Sequence, residues 1–191
     1  AMALAITQSL SHLLMFTTDA LQKGVTSLAA NYLGAKRADL LSKTLMSAVV
    51  LQVILTFMLA LPLLFFPKPI IALFLTNASM DQPGLAAFVL LALWWVWVYF
   101  FADGLTWIIA GALAAAKDTW FMMIVNVSCA WLLAIAPMYW LITRQGGNGL
   151  LAWQLMVVYC TADAGFFYWR YRIKIARLAL VKEAPLYSVA T

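Results

Sequence analysis

Asp103 lies deep in a long apolar run, Leu85 to Ala116, with no basic residue within two helical turns on either side. Tyr99, Thr106 and Trp107 stand at i−4, i+3 and i+4 and share its face of a helix. A carboxyl surrounded by hydrocarbon takes up a proton or binds a cation, because desolvation penalises the bare charge. Such a group has two states, which is the chemistry that ion coupling requires. The competing role is a hydrogen bond to a neighbouring helix that fixes packing. Function stands ahead of packing here, because an ionised side chain at membrane depth costs at least about 2.5–3.5 kcal/mol.

Three more charges sit inside apolar runs. Asp19 and Lys23 are spaced i,i+4 on one helix face. Mutual neutralisation is the expected reading, with a substrate or proton role as its rival. Asp163 precedes Arg170 by a helical rise of about 10 Å, so it is expected to pair with the basic residues that follow. His12 is expected near the outer end of the first helix as a packing or interfacial residue, because no second metal ligand is close in sequence. No Walker A loop, HExxH or Cys/His cluster occurs, so neither catalysis nor ATP-driven transport by this chain is expected. Cys129 and Cys160 both lie in apolar runs and do not suggest a disulfide framework.

The elements that must position these residues are membrane helices. Hydrophobic residues make up 66% of the sequence and charged residues 10%, whereas a soluble domain carries roughly 25% charged residues. Lipid must therefore be the solvent for most of the chain. Five runs reach the length of about 20 residues that a spanning helix needs: 4–33, 44–66, 85–116, 119–142 and 150–169, followed by a basic tail, 170–191. No run alternates with period two, so the fold class is all-α, a single polytopic bundle over 1–191. The first run is too long, and lacks the basic preface, for a cleavable signal peptide.

The third run would span roughly 48 Å as a helix, against a hydrocarbon core of about 30 Å. Trp94, Trp95, Trp97 and Tyr99 either form an interfacial belt that marks its edge or pack in the core. Gly111 with Ala115, and Ala112 with Ala116, have the small-xxx-small spacing of close helix packing. Asn126 and Pro137 can open the backbone of the fourth run locally, a plain kink being the default.

The net charge of +5 resides between and after the apolar runs rather than on one patch, a topology signal and not a nucleic-acid footprint. Lys36, Arg37, Lys43, Lys117, Arg170, Arg172, Lys174, Arg177 and Lys182 fall on one side, and only Lys68 and Arg144 on the other. The positive-inside rule predicts a cytoplasmic C-terminus and an outer N-terminus. Five spans starting outside predict a further helix upstream. The triplet Asn77-Ala78-Ser79 is a glycosylation sequon on the predicted outer side, and without meaning in a bacterium.

Several segments resemble the multidrug and toxic compound extrusion (MATE) transporters. Gly24-Val25-Thr26 with Tyr32-Leu33-Gly34-Ala35-Lys36-Arg37 is similar to a helix end and loop of that family, and Pro69 to Thr76 to its next helix-to-loop segment. Asp103-Gly104, Gly111-Ala112-Leu113 and Lys117-Asp118-Thr119 resemble the tenth-helix acid and the G-x-L-R-G-x-K/G-D-T segment after it. Ala114-Ala115 replaces the Arg-Gly of that segment. The resemblance covers nearly the whole chain, in order. It implies helices eight to twelve of a two-lobed, twelve-helix antiporter, with the other lobe supplied upstream or by a partner chain. It also implies that Asp103 matches the acid that binds the coupling H⁺ or Na⁺.

The expected function is cation-coupled efflux of amphipathic, often cationic compounds by a multi-pass protein of a bacterial inner membrane. Beyond the coupling ion no cofactor is expected, and the only metal contemplated is Na⁺ at Asp103. Tyr99, Thr106, Trp107, Asn126, Asp19 and Lys23 are the candidates to line a substrate cavity. Two alternatives remain. A lipid-linked oligosaccharide flippase of the same superfamily would be expected to line its cavity with several cations, whereas only Lys23 is buried in a run here. A non-transporting scaffold subunit is disfavoured by the unpaired Asp103.

Overall fold

The computed structural model describes residues 2–37, 39–65, 85–146 and 149–183. The segment from Pro67 through the Asn77 sequon lies outside the described residues. Five helices follow in chain order: α1 (Met2–Gly34), α2 (Asp39–Phe65), α3 (Leu85–Ala115), α4 and α5 (Gly149–Glu183). The fourth, α4, consists of three consecutive stretches, Thr119–Cys129, Ala130–Ile135 and Ala136–Gln145. The result is the expected all-α membrane bundle. Helix α3 is central and packs on α1, α2 and α5, while α4 lies against α5.

Four of the helices are long and apolar enough to cross a membrane, over Asp39–Leu59, Ala87–Ala115, Thr119–Arg144 and Gly149–Lys174. The first expected span, α1, has the length but not the apolarity. Its exposed face carries Gln8, His12, Asp19, Lys23, Ser27 and Asn31. The helix that carries the fifth expected span continues past Trp169, to Glu183.

Two turns on the predicted cytoplasmic side share one construction. Lys36 and Lys117 adopt left-handed backbone, at φ 58° and 57°. Behind each, the chain closes a Schellman motif: Arg37 N–H donates to the Tyr32 carbonyl at 2.8 Å, and Asp118 N–H to the Leu113 carbonyl at 3.0 Å. Glycine usually occupies this position. A lysine there accepts some steric strain and places a cation at the negative end of the helix dipole.

The feature around Pro137 is more than a plain kink. Proline has no N–H to offer the carbonyl four residues back. The ladder upstream widens into a π-helical stretch over Ala130–Ile135, and the Ala136 N–H reaches the Trp131 carbonyl, five residues back. Asn126 and Cys129 lie immediately before this stretch.

The core has two apolar clusters. One gathers Leu14, Val89, Leu93, Val96, Tyr99, Phe100 and Trp153. The other gathers Val25, Leu41, Ile108, Leu113, Phe167 and Tyr171. The buried polar residues Thr18, Gln52, Thr56, Asp103 and Thr106 fall between them along the helices. Large apolar side chains such as Ile54, Phe57, Trp120, Ile124, Trp131 and Leu132 point outward, as lipid contact requires and water does not tolerate. Of the aromatic group on α3, Tyr99 is core and packs on Trp153 at 5.7 Å between ring centroids, whereas Trp94 is exposed.

Gly111 explains how α1 and α3 approach. A Cβ there would sit 2.9 Å from the Gln22 carbonyl oxygen and 3.0 Å from Thr26 Oγ1 on α1. The small residue is needed for backbone contact, as its spacing predicted.

Candidate functional site

Asp103 is 5% exposed at the middle of α3. Three groups direct hydrogen at its Oδ1: Trp107 Nε1 at 3.1 Å, the Tyr99 hydroxyl at 3.4 Å and the Cys160 thiol of α5 at 3.7 Å. Its Oδ2 is buried and has no hydrogen-bond partner among the described residues. The i−4 and i+4 neighbours therefore do meet the acid. Thr106, at i+3, does not: its hydroxyl lies 2.9 Å from the Ala102 carbonyl and 3.0 Å from the Cys160 carbonyl, and it ties α3 to α5.

Gln52 of α2 backs this site and is fully buried. Its Nε2 donates to the Phe100 carbonyl at 3.4 Å and to Thr56 Oγ1 at 3.3 Å. Gly104 makes the approach possible, because any Cβ at that position would overlap the Gln52 amide. Sequence reasoning missed Gln52. Its signal was the same as that of Asp103, a polar side chain alone in an apolar run.

Asn126 stands apart from Asp103. Its Nδ2 donates to Asp163 Oδ2 at 2.8 Å and to the Tyr159 hydroxyl at 2.7 Å. This corrects the expectation for Asp163. The residue is 0% exposed and hydrogen-bonded to α4, not paired with the basic tail. The tail has a different partner. Arg170 Nε reaches Asp118 Oδ2 at 2.8 Å, and Lys174 Nζ lies 3.3 Å from the same oxygen and donates to the Ala116 carbonyl at 3.0 Å. Arg170 also covers the Phe121 ring at 5.0 Å. Partial burial pushes the Asp118 carboxyl up, but hydrogen bonds and charge from Arg170 and Lys174 outweigh it and hold the group below its ordinary value. Sequence distance favoured Asp163 as the partner of Arg170; the loop between α3 and α4 brings Asp118 closer in space.

Asp19 and Lys23 are both exposed on α1, and the ion pairs within 4.0 Å among the described residues do not include them. The neutralising pair expected from their spacing is not formed. They belong instead to the polar face of α1. His12, on the same face, borders a cavity of about 370 Å³ with Gln8, Ser11, Met15, Trp153 and Tyr99, so a residue that reaches Asp103 also lines this space.

The candidates thus occupy three places: Asp103 with Tyr99 and Trp107 on α3, Asn126 beside Asp163 between α4 and α5, and Asp19 with Lys23 on the open face of α1. No curated protein matches the chain. The family model named MatE matches residues 2–140, which takes in α1 to α3 and most of α4 and includes Asp103. The chain is therefore a membrane-transport protein that belongs to the MatE family.

Proposed function

We propose that this chain forms the cation-coupling lobe of an efflux antiporter for amphipathic, cationic compounds, with Asp103 as the acid that exchanges H⁺ or Na⁺ against substrate. The observation that carries the reading is the asymmetry of the Asp103 carboxyl. Among the described residues one oxygen collects three donors and the other, which is buried, collects none. The free oxygen is where a proton or a small cation is held. Exchange between two such ligands on one carboxyl is a coupling between their binding free energies.

The α1 face supports the second half of the reading. Gln8, His12, Asp19, Lys23, Ser27 and Asn31 are costly against lipid, so that face belongs to a watery cavity or to a second lobe. Tyr99, Trp107 and the α1 stripe then offer the aromatic and polar surface that an amphipathic cation needs.

Asp103→Asn tests the reading, since it keeps size and hydrogen bonding while removing the charge. In vesicles holding the two-lobed assembly, gradient-driven dye efflux should be abolished while thermal stability in detergent is kept. Undiminished efflux would eliminate the coupling role. Loss of stability in step with loss of efflux would assign Asp103 to packing.

A further inference from the structure

Asp163 repeats the arrangement of Asp103 in a second place. It is 0% exposed. The Asn126 amide donates to its Oδ2, the Cys129 thiol of α4 faces the same carboxyl, and its Oδ1 is buried without a partner. A carboxylate has two equivalent oxygens, and both demand donors. A carboxylic acid has one acceptor oxygen and one hydroxyl. With one donor on Oδ2 and none on the buried Oδ1 among the described residues, the surroundings suit the neutral acid better than the carboxylate.

The charges around it point the same way. No ion pair among the described residues involves Asp163. Arg170 and Lys174, the cations further along α5, are engaged with Asp118. From α4 the carboxyl is faced by Asn126 and Cys129, and along α5 by Tyr159 and Cys160. Helix α3 contributes Asp103, which meets α5 at Cys160. Tyr139 and Arg144, in the last stretch of α4, are exposed. None of the groups in contact with it is a cation, and a bare charge in such surroundings is strongly penalised.

From this geometry we infer that Asp163, with Asn126, Tyr159 and Cys129, is a second proton-holding site of the bundle, separate from Asp103 and on its cytoplasmic side. The two sites come together on one face of α5. Cys160 touches Asp103, and Asp163 stands three residues on, one helical turn nearer the cytoplasm. The Tyr159 hydroxyl accepts from Asn126 and keeps its own proton to donate. The carboxyl of Asp163 is thus held protonated in neutral solution, apart from whatever ion occupies Asp103. The inference does not depend on what the protein exports.

Infrared spectroscopy of the full chain in lipid vesicles reads protonated carboxyls directly. At neutral pH the wild type should show such a component from Asp163. Asp163→Asn should remove it and Asp103→Asn should leave it in place, with helical circular dichroism unchanged. Full retention of the protonated-carboxyl absorption in folded Asp163→Asn would overturn the inference, because Asp163 would then be ionised. Should Asp163→Asn fail to fold, Asp163→Glu replaces it. That variant should shift the frequency of the Asp163 component, and an unshifted spectrum would overturn the inference equally. Neither result bears on efflux by the Asp103→Asn assembly, so the two readings fail separately.

Discussion

Gly104→Ala should be destabilising, and the damage should disappear when Gln52 is removed as well. The added methyl would overlap Nε2 and Cδ of Gln52 and sit 2.9 Å from its Cγ. Gln52 is flexible in principle, but it is 0% exposed and has no open space to enter. Rotating it away forfeits two long hydrogen bonds, at 3.3 and 3.4 Å, each worth about 0.6 kcal/mol inside a membrane bundle. Forcing it into packed surroundings adds about 1–3 kcal/mol. The better helix propensity of alanine returns up to about 1 kcal/mol. The net expectation is a loss of about 1–3 kcal/mol. In a Gln52→Ala background the overlap with the glutamine side chain is gone, and the same substitution should be neutral or slightly stabilising. The assay is unfolding of the four proteins of this cycle by denaturing detergent added to mild micelles. A coupling of about 2 kcal/mol between the two positions is expected. Additive effects would refute the reasoning, since the cost would then lie in the glycine backbone and not in the approach of α2.

Other outcomes follow from the same contacts. The Asp118 carboxyl is held below its ordinary value of 3.8, so its contribution is complete above that pH and fades as pH falls below it toward the lowered folded value. Asp118→Asn should therefore melt below wild type at pH 7 and approach it near pH 3, and a gap that persists or widens in acid would contradict the ion pairs with Arg170 and Lys174. A double change of Asp19 and Lys23 to leucine should equal the sum of the single changes, because the two side chains are not paired; a clear coupling in thermal unfolding would restore the neutralising pair. Cysteines placed at Lys117 and at Gly146 report topology. An impermeant thiol reagent on intact cells should label Gly146→Cys and spare Lys117→Cys, and the reverse pattern would invert the orientation.

The helices were legible because hydrocarbon imposes a length and a composition that no loop can imitate. Asp103 was legible for the same reason, as an acid without a counter-charge in its own run. What escaped was anything decided between helices. Gln52 belongs to the Asp103 site only because Gly104 lets α2 approach, and the sequence between positions 52 and 104 carries no mark of that meeting. Asp163 was assigned to Arg170 on axial distance alone. Residues seven apart do share a helix face, but the choice of partner is left to whichever segment packs against each of them. The loop at Asp118 made that choice by supplying an acid where α5 leaves the bundle.

The same argument accounts for α1. Asp19 and Lys23 at i,i+4 satisfy the spacing rule for a neutralising pair, and that rule assumes the alternative to pairing is lipid. On α1 the alternative is a face that is polar from Gln8 to Asn31 except for the exposed Phe16. Water or protein against that face lets each charge be solvated separately, which removes the energetic reason for the pair. The absence of the ion pair and the polarity of the stripe thus have one cause. That cause also sets α1 apart from α2, whose outward residues Val50, Ile54 and Phe57 are apolar. The exposed flank of α2 is apolar, whereas that of α1 is largely polar.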